Sequence, residues 1–374
     1  MYSGDRRIVL TLDAGGTNFR FSAIRGNKPV AESVTMPSKG DHLERCLANM
    51  VEGFTRLKQH CPEPPVAISF VFPGPADYPN GIIGDLSNLP GFRGGVAVGP
   101  MLEERFGIPA FISNDGDLFT YGEAIAGFLP YVNSLLEKAG SPKRYKNLFG
   151  VTLGTGFGAG ITRDGQLFLG DNSMAAEVFL LRNKIEPRMN AEETASIRGV
   201  RRVYAERAGL SFEQAPEPKA IYEIGLGKRP GDPAAAREAF RQLGEVVGDA
   251  LGNALTLLDG LAVIGGGISG AWPLFLPAVV AELNSSYTGP NGETFRRLDS
   301  LAFNLEDPVQ LERFLQGDAR EITVPGGKRK VQYDPLQRVG VGLSRLGTSE
   351  AVAIGAYTFA LSKLDGKRAT EQVK

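Results

Sequence analysis

Cysteine is almost absent. Cys46 and Cys61 are the two in 374 residues. They cannot build a disulfide framework, so the chain reads as a reduced, cytoplasmic protein. Each reads as a small buried hydrophobe. His60 beside Cys61 is an adjacent pair without metal-ligand spacing. Net charge is lacking too, since 41 Lys and Arg stand against 42 Asp and Glu. No broad basic field is available to hold nucleic acid or an anionic membrane, and neither is expected as a partner. Long apolar runs are missing as well. The run at 8–12 is too short for a signal-peptide core. No window approaches 18 uninterrupted apolar residues, so no membrane span is expected.

Glycine is abundant instead, with 48 residues gathered in short loops. Hydrophobic residues make up 42% and charged residues 22%, the profile of a globular protein with a core. The length suggests two domains. Residues 7–12 and 18–24 read as strands, with "DAGGTN" between them. Residues 41–60 carry apolar residues at helical spacing. "PVAISFVFPG" (65–74) is a strand running into a Pro-Gly turn, 101–107 a short helix, and 108–116 a strand that delivers Asn114 and Asp115 into a loop. The order then repeats. Residues 147–168 read as strand, glycine loop, strand, tight turn, strand. Residues 233–259 read as a helix, and "LAVIGGGIS" (261–269) as a strand ending in glycines. This weak repetition predicts two related α/β domains. Residues 131–149 look like an insertion, and 286–338 are mixed, with a hairpin at 321–334 around Pro325-Gly326-Gly327. Residues 348–364 form a capped apolar helix, and the last ten residues are expected to fray. Gly244, Gly248 and Gly252 share one helix face, expected to pack closely on the sheet.

"GTGFGA" (154–159) satisfies the dinucleotide pattern, but a strand follows rather than a helix, so a Rossmann site is not expected. No P-loop motif occurs. A phosphate-binding hairpin fits better, because glycines let backbone N–H groups approach an anion. Gly15, Gly16, Thr17 and Asn18 form one such loop, and Gly154, Thr155 and Gly156 a second. Thr17 and Thr155 could add hydroxyl donors. Gly265, Gly266 and Gly267 follow a strand, where α/β folds bind ligands. Asp13 could hold Mg²⁺ directly or through water, since that ion takes carboxylate, water and phosphate oxygens. Asp115 suits a general base for phosphoryl transfer to a hydroxyl, with Asn114 orienting the acceptor. Capping of a helix by Asn114, Asp115 or Asp117 is the other reading, and the two can coexist.

At these residues the chain resembles the ROK family of sugar kinases and repressors. "LDAGGTNFRF" resembles its first phosphate loop, and "PGP" (73–75) and "SNLPGF" (87–92) its sugar-side loops. "NDGDLFTYGEA" resembles its catalytic segment, "VTLGTGFGAGI" its second phosphate loop, "AVIGGGIS" its adenosine-side loop and "SRLGTSEAVAIGA" its final helix. The resemblance implies an α/β fold of two actin/hexokinase-like (ribonuclease H-like) ATPase domains with an interdomain cleft. Residues 1–118 with 348–374 would form one domain, and 119–347 the other. It implies ATP, Mg²⁺ and a sugar as ligands, Asp115 as general base, and Gly74, Asn88, Asn114, Glu177 and Glu192 on the sugar side. Glu186 is the alternative to Glu192. It also implies a possible homodimer. Two departures stand out. Leu180 occupies the place of a family histidine, and 183–190 lack the family's zinc-binding cysteines, so no structural zinc is expected. The rival readings are a sugar sensor without catalysis and an ATPase with a structural or chaperone role. Only twelve residues precede Asp13, too few for the repressors' helix-turn-helix.

Overall fold

The computed structural model describes residues 2–14, 18–74, 76–86 and 89–371, except the side chains of 367–371. The chain divides into two units. One comprises 1–127, 165–175 and 346–374, the other 128–164 and 176–345.

The N-terminal unit is built on one sheet. In spatial order its strands are Lys28–Pro29, Asn18–Arg25, Val9–Ala14, Ala67–Val71 and Ala110–Ser113, and Val34–Pro37 also pairs with Asn18–Arg25. Val9–Ala14 and Asn18–Arg25 form an antiparallel hairpin. The next two strands run parallel to the first. Strand alternation separates two faces. Leu10, Leu12, Phe19 and Phe21 enter a core with Met50, Phe54 and Leu57 of the helix Leu43–His60. Val9 and Ile24 turn the other way, onto Tyr357, Ala360 and Leu361 of the helix Thr348–Glu371. That helix extends beyond residue 364, where the apolar pattern fades. The helix at 101–107 starts earlier, at Val98.

Of the two readings of this stretch, a loop and a capped helix, the structure has the helix, with Asp115 as its first residue. The strand ends at Ser113, Asn114 is the N-cap, and the helix Asp115–Ile125 begins at once. Every residue from Gly116 to Ala124 is buried, so its apolar pattern has no periodicity to read. It crosses Thr348–Glu371 at two glycines. A Cβ on Gly122 would collide with the Ala351 carbonyl, and one on Gly355 with the Leu118 carbonyl.

The second unit repeats the plan. Its sheet runs Phe157–Arg163, Leu148–Leu153, Leu261–Gly265, Arg338–Leu343 and Leu301–Asn304, an antiparallel hairpin followed by parallel strands. Thus part of 286–338 supplies an edge strand. The hairpin at 321–334 forms from Arg320–Thr323 and Lys330–Tyr333. The stretch from 131 begins inside a helix, Phe128–Lys138, which buries Phe128, Leu129, Val132 and Leu136. Gly244, Gly248 and Gly252 lie on the helix Pro233–Leu258, but they do not meet the sheet. A Cβ on Gly244 would strike Phe275 and Ala278 of the helix Trp272–Leu283, one on Gly248 would strike Glu282, and one on Gly252 would strike Arg297.

Candidate active site

In the N-terminal unit, two carboxylates stand at the C-terminal ends of parallel strands, where α/β sheets place ligands. Asp13 is the next-to-last residue of Val9–Ala14. Asp115 lies two positions past the strand Ala110–Ser113, with Asn114 between. Asn114 Oδ1 and Asp115 Oδ1 each accept from the Gly116 N–H at 2.8 Å. The Asp115 side chain is exposed to solvent, yet its carboxyl is pushed above the ordinary 3.8. Crowding by protein atoms is the largest cause. The Gly116 N–H opposes it, and the negative charge of Asp13 adds to it. A raised carboxyl that solvent can still reach suits a base that must take and release a proton.

Asp13 is half-buried. Its Oδ2 accepts from Ser349 Oγ at 3.2 Å, on the first turn of Thr348–Glu371. No group of three or more His, Cys, Asp or Glu is placed to hold a metal among the described residues. One accessible carboxylate fits Mg²⁺, which dehydrates reluctantly and is held chiefly by water and phosphate oxygens. Asn18 is exposed at the head of its strand, and Gly74 is exposed near the Tyr78 hydroxyl. Gly15, Gly16, Thr17 and Asn88 lie outside the described residues, as does Pro75.

In the second unit, two glycine loops sit side by side. Leu148–Leu153 and Leu261–Gly265 are parallel neighbours, with Thr152 opposite Gly265. Their C-terminal ends therefore carry 154–156 and 265–267 together. Gly154 N–H bonds Gly156 O at 3.0 Å, closing a tight turn. Gly266 has φ +90, and a Cβ there would strike the Leu153 backbone. The Ile268 N–H donates to Leu153 O at 3.0 Å. Thr155 and Gly267 are exposed. The loops are thus tightly held, with their tips open to a ligand.

Glu192 braces the first of these loops. Its Oε2 accepts the Phe157 N–H at 2.9 Å, and its Oε1 pairs with Arg198 at 2.7 Å. A Cβ on Gly156 would lie 2.8 Å from Glu192 Oε2. The segment 183–190, which lacks cysteine, is organised by Asn183, which is fully buried. Its Oδ1 accepts from the Ile185 and Glu186 N–H groups, and its Nδ2 donates to Asn190 O and Thr194 Oγ1. Glu186 pairs with exposed Arg188. Glu177 is half-buried, and Leu180 is 64% exposed. Sequence reasoning missed Ser349 and Arg198. Ser349 was readable only as part of a helix cap. Arg198 carried no motif signal.

The sequence profile of the ROK family matches residues 9–300. The chain belongs to the ROK family. Its architecture is that of ROK sugar kinases, whose fold is actin/hexokinase-like with two domains. The crystal structure of a glucokinase from Parabacteroides distasonis is 54% identical, with a TM-score of 0.88, covering 97% of this chain and 99% of that one. A ROK glucokinase from Streptomyces griseus, solved with glucose and AMPPNP, shares the fold at 18% identity and a TM-score of 0.59, covering 94% and 98%. A Streptomyces coelicolor glucokinase is 28% identical over 48% of this chain and 57% of its own length. The match thus spans little more than half of that relative's length.

Proposed function

We propose that this ROK chain is a sugar kinase, transferring the γ-phosphoryl group of ATP to a hydroxyl of a hexose or an N-acetylated amino sugar. The observation that carries the reading is Asp115. It is a solvent-reachable carboxylate with a raised pKa, fixed at the first position of a buried helix and within the field of Asp13. The near-complete likeness to a glucokinase structure supports it.

In this reading the sugar hydroxyl donates its proton to Asp115 as its oxygen attacks the γ-phosphorus, and ADP departs with the bridging oxygen. Asn114 is held by its own cap bond, and it orients the acceptor. Gly74, Asn88 and Glu177 line the sugar side. Glu192 belongs there too, and its bond to Phe157 also fixes the second phosphate loop. Gly15, Gly16, Thr17, Asn18, Gly154, Thr155 and Gly156 supply phosphate donors, and Gly265, Gly266 and Gly267 face the adenosine side. Asp13 would hold Mg²⁺, which when bound neutralises phosphate charge. Leu180, standing where the family carries histidine, removes a hydrogen-bonding partner, so a different set of hydroxyls is read. A site built for one hydroxyl pattern strongly rejects another.

The test is a panel of glucose, mannose, N-acetylglucosamine and N-acetylmannosamine with ATP and Mg²⁺, following ADP and thermal shift together. Release of ADP that depends on one sugar is expected. ADP release without sugar would favour a different ATPase. A sugar-dependent thermal shift without ADP would favour a sensor.

A further inference from the structure

A single 3-10 turn holds poorly by itself, because its hydrogen bonds are few and bent. Ala191–Glu193 is such a turn, and Glu192 stands at its centre. Asn190 is its N-cap and Thr194 its C-cap. The fully buried Asn183 side chain bridges the two caps. Its Nδ2 donates to Asn190 O at 3.2 Å and to Thr194 Oγ1 at 2.8 Å. Its Oδ1 accepts the Ile185 N–H at 3.0 Å and the Glu186 N–H at 3.1 Å. A carboxamide has two donor hydrogens and two lone pairs, and here every one is used. The backbone adds Asn183 N–H to Met189 O at 3.0 Å and Ala191 N–H to Leu181 O at 2.8 Å. Lys184, next in the chain, pairs with Glu282 on the helix Trp272–Leu283. A buried polar network that is fully satisfied is rigid and fixes one arrangement.

The turn it fixes is fastened in its turn to the glycine loop at 154–156. Glu192 Oε2 accepts the Phe157 N–H at 2.9 Å. Just past Thr194, the Ile197 N–H donates to Gly154 O at 2.8 Å. The loop is thus gripped at both ends by one short segment, and Asn183 holds that segment from behind. We propose that Asn183 is a positioning residue for the phosphates of the nucleotide, acting through Thr194 and Glu192 on the loop. Backbone N–H groups stabilise an anion only while they keep their directions. The phosphate role rests on the kinase reading, in which this loop holds phosphate. The bracing of the loop does not.

The test joins hydrogen exchange of the full chain to calorimetric titration with ADP and with adenosine, each with Mg²⁺. Thr194→Val keeps the shape and removes the hydroxyl that Asn183 holds, and Asn183→Ala removes the whole bridge. Tyr145→Phe is the control, since it removes another buried bond of the same unit, to Arg338 O at 2.6 Å. Thr194→Val should speed exchange of the Phe157 amide about fivefold, the weight of one buried hydrogen bond. It should weaken ADP by the same factor and leave adenosine unchanged, and Asn183→Ala should exceed both effects. Tyr145→Phe should lower the melting temperature without changing the ratio of ADP to adenosine affinity. An unchanged Phe157 amide in Thr194→Val would overturn the bracing. Faster exchange with ADP affinity unchanged, or with ADP and adenosine weakened alike, would overturn the phosphate role. Faster exchange in a chain whose wild type binds no ADP would take down the kinase reading and the phosphate role together, and leave the bracing standing.

Discussion

Replacing Asp115 with Asn separates chemistry from folding. Asparagine has nearly the same shape, and Asn114 still caps the helix through Gly116. What goes is the base. A positioned general base contributes about 10²–10⁴-fold, so kcat should fall by that factor, or about 3–5 kcal/mol at 1.36 kcal/mol per decade. Stability should move little, because two effects oppose. The folded pKa of Asp115 lies above its ordinary value, so the folded chain holds this proton more tightly than the unfolded one. The stability this group adds is full below the unfolded pKa and fades as pH rises through the folded one. At neutral pH its charge is therefore a burden, which Asn removes. Against that, a carboxylate in the first turn favours the helix dipole by about 0.3–1 kcal/mol, which Asn loses. The net change should stay within about 1 kcal/mol, a shift of roughly 1–2 °C for a chain of 374 residues. The assay is coupled ADP release beside calorimetric melting and nucleotide titration. Nucleotide affinity should survive, because the loops at 154–156 and 265–267 are held by bonds of their own. Retained turnover would remove Asp115 from the mechanism. A large drop in melting temperature would make the lost activity a folding effect and refute the reasoning.

Three other outcomes are expected. In the wild type, kcat/KM should fall on acidification with a midpoint above the ordinary aspartate value of 3.8, and a midpoint at or below it would deny Asp115 the role. Glu192→Ala strands the Phe157 N–H, while Arg198 keeps Glu193, so it should cost about 1–3 kcal/mol and raise the nucleotide KM, read by melting and steady-state kinetics. Cys46 is fully buried, and burial pushes its thiol up to about 11, so alkylation of the native chain at neutral pH should mark Cys61 first, as seen by peptide mass.

The hairpins at 147–168 and 321–334 were legible because strand, glycine turn and strand leave a local signature. The helix bearing Asp115 was legible at its start, where the capping reading of Asn114 holds, but not in its extent, because it is buried from Gly116 to Ala124 and shows no polar face. The segment Trp272–Leu283 hides for a different reason, since its exposed face carries Pro273 and Pro277, and Pro277 lies in its interior. Gly244, Gly248 and Gly252 announced a close approach but not its partner, since a missing side chain fits a sheet or a helix equally well. Asp13 and Asp115 could be nominated from strand ends. That Ser349 reaches Asp13 could not, because 336 residues separate them and only the fold joins them.

The glycine crossing of Gly122 with Gly355 has a consequence for biosynthesis. The helix that presents Asp115 finds its seat only after residue 355 has been made, about 230 residues later. At ribosomal speeds of about 5–20 residues per second, that delay is on the order of 10–50 s. Throughout it the apolar surface from Gly116 to Ala124 has no cover from the last helix, so nascent chains would lean on chaperones, and the last helix to emerge completes the unit that began first.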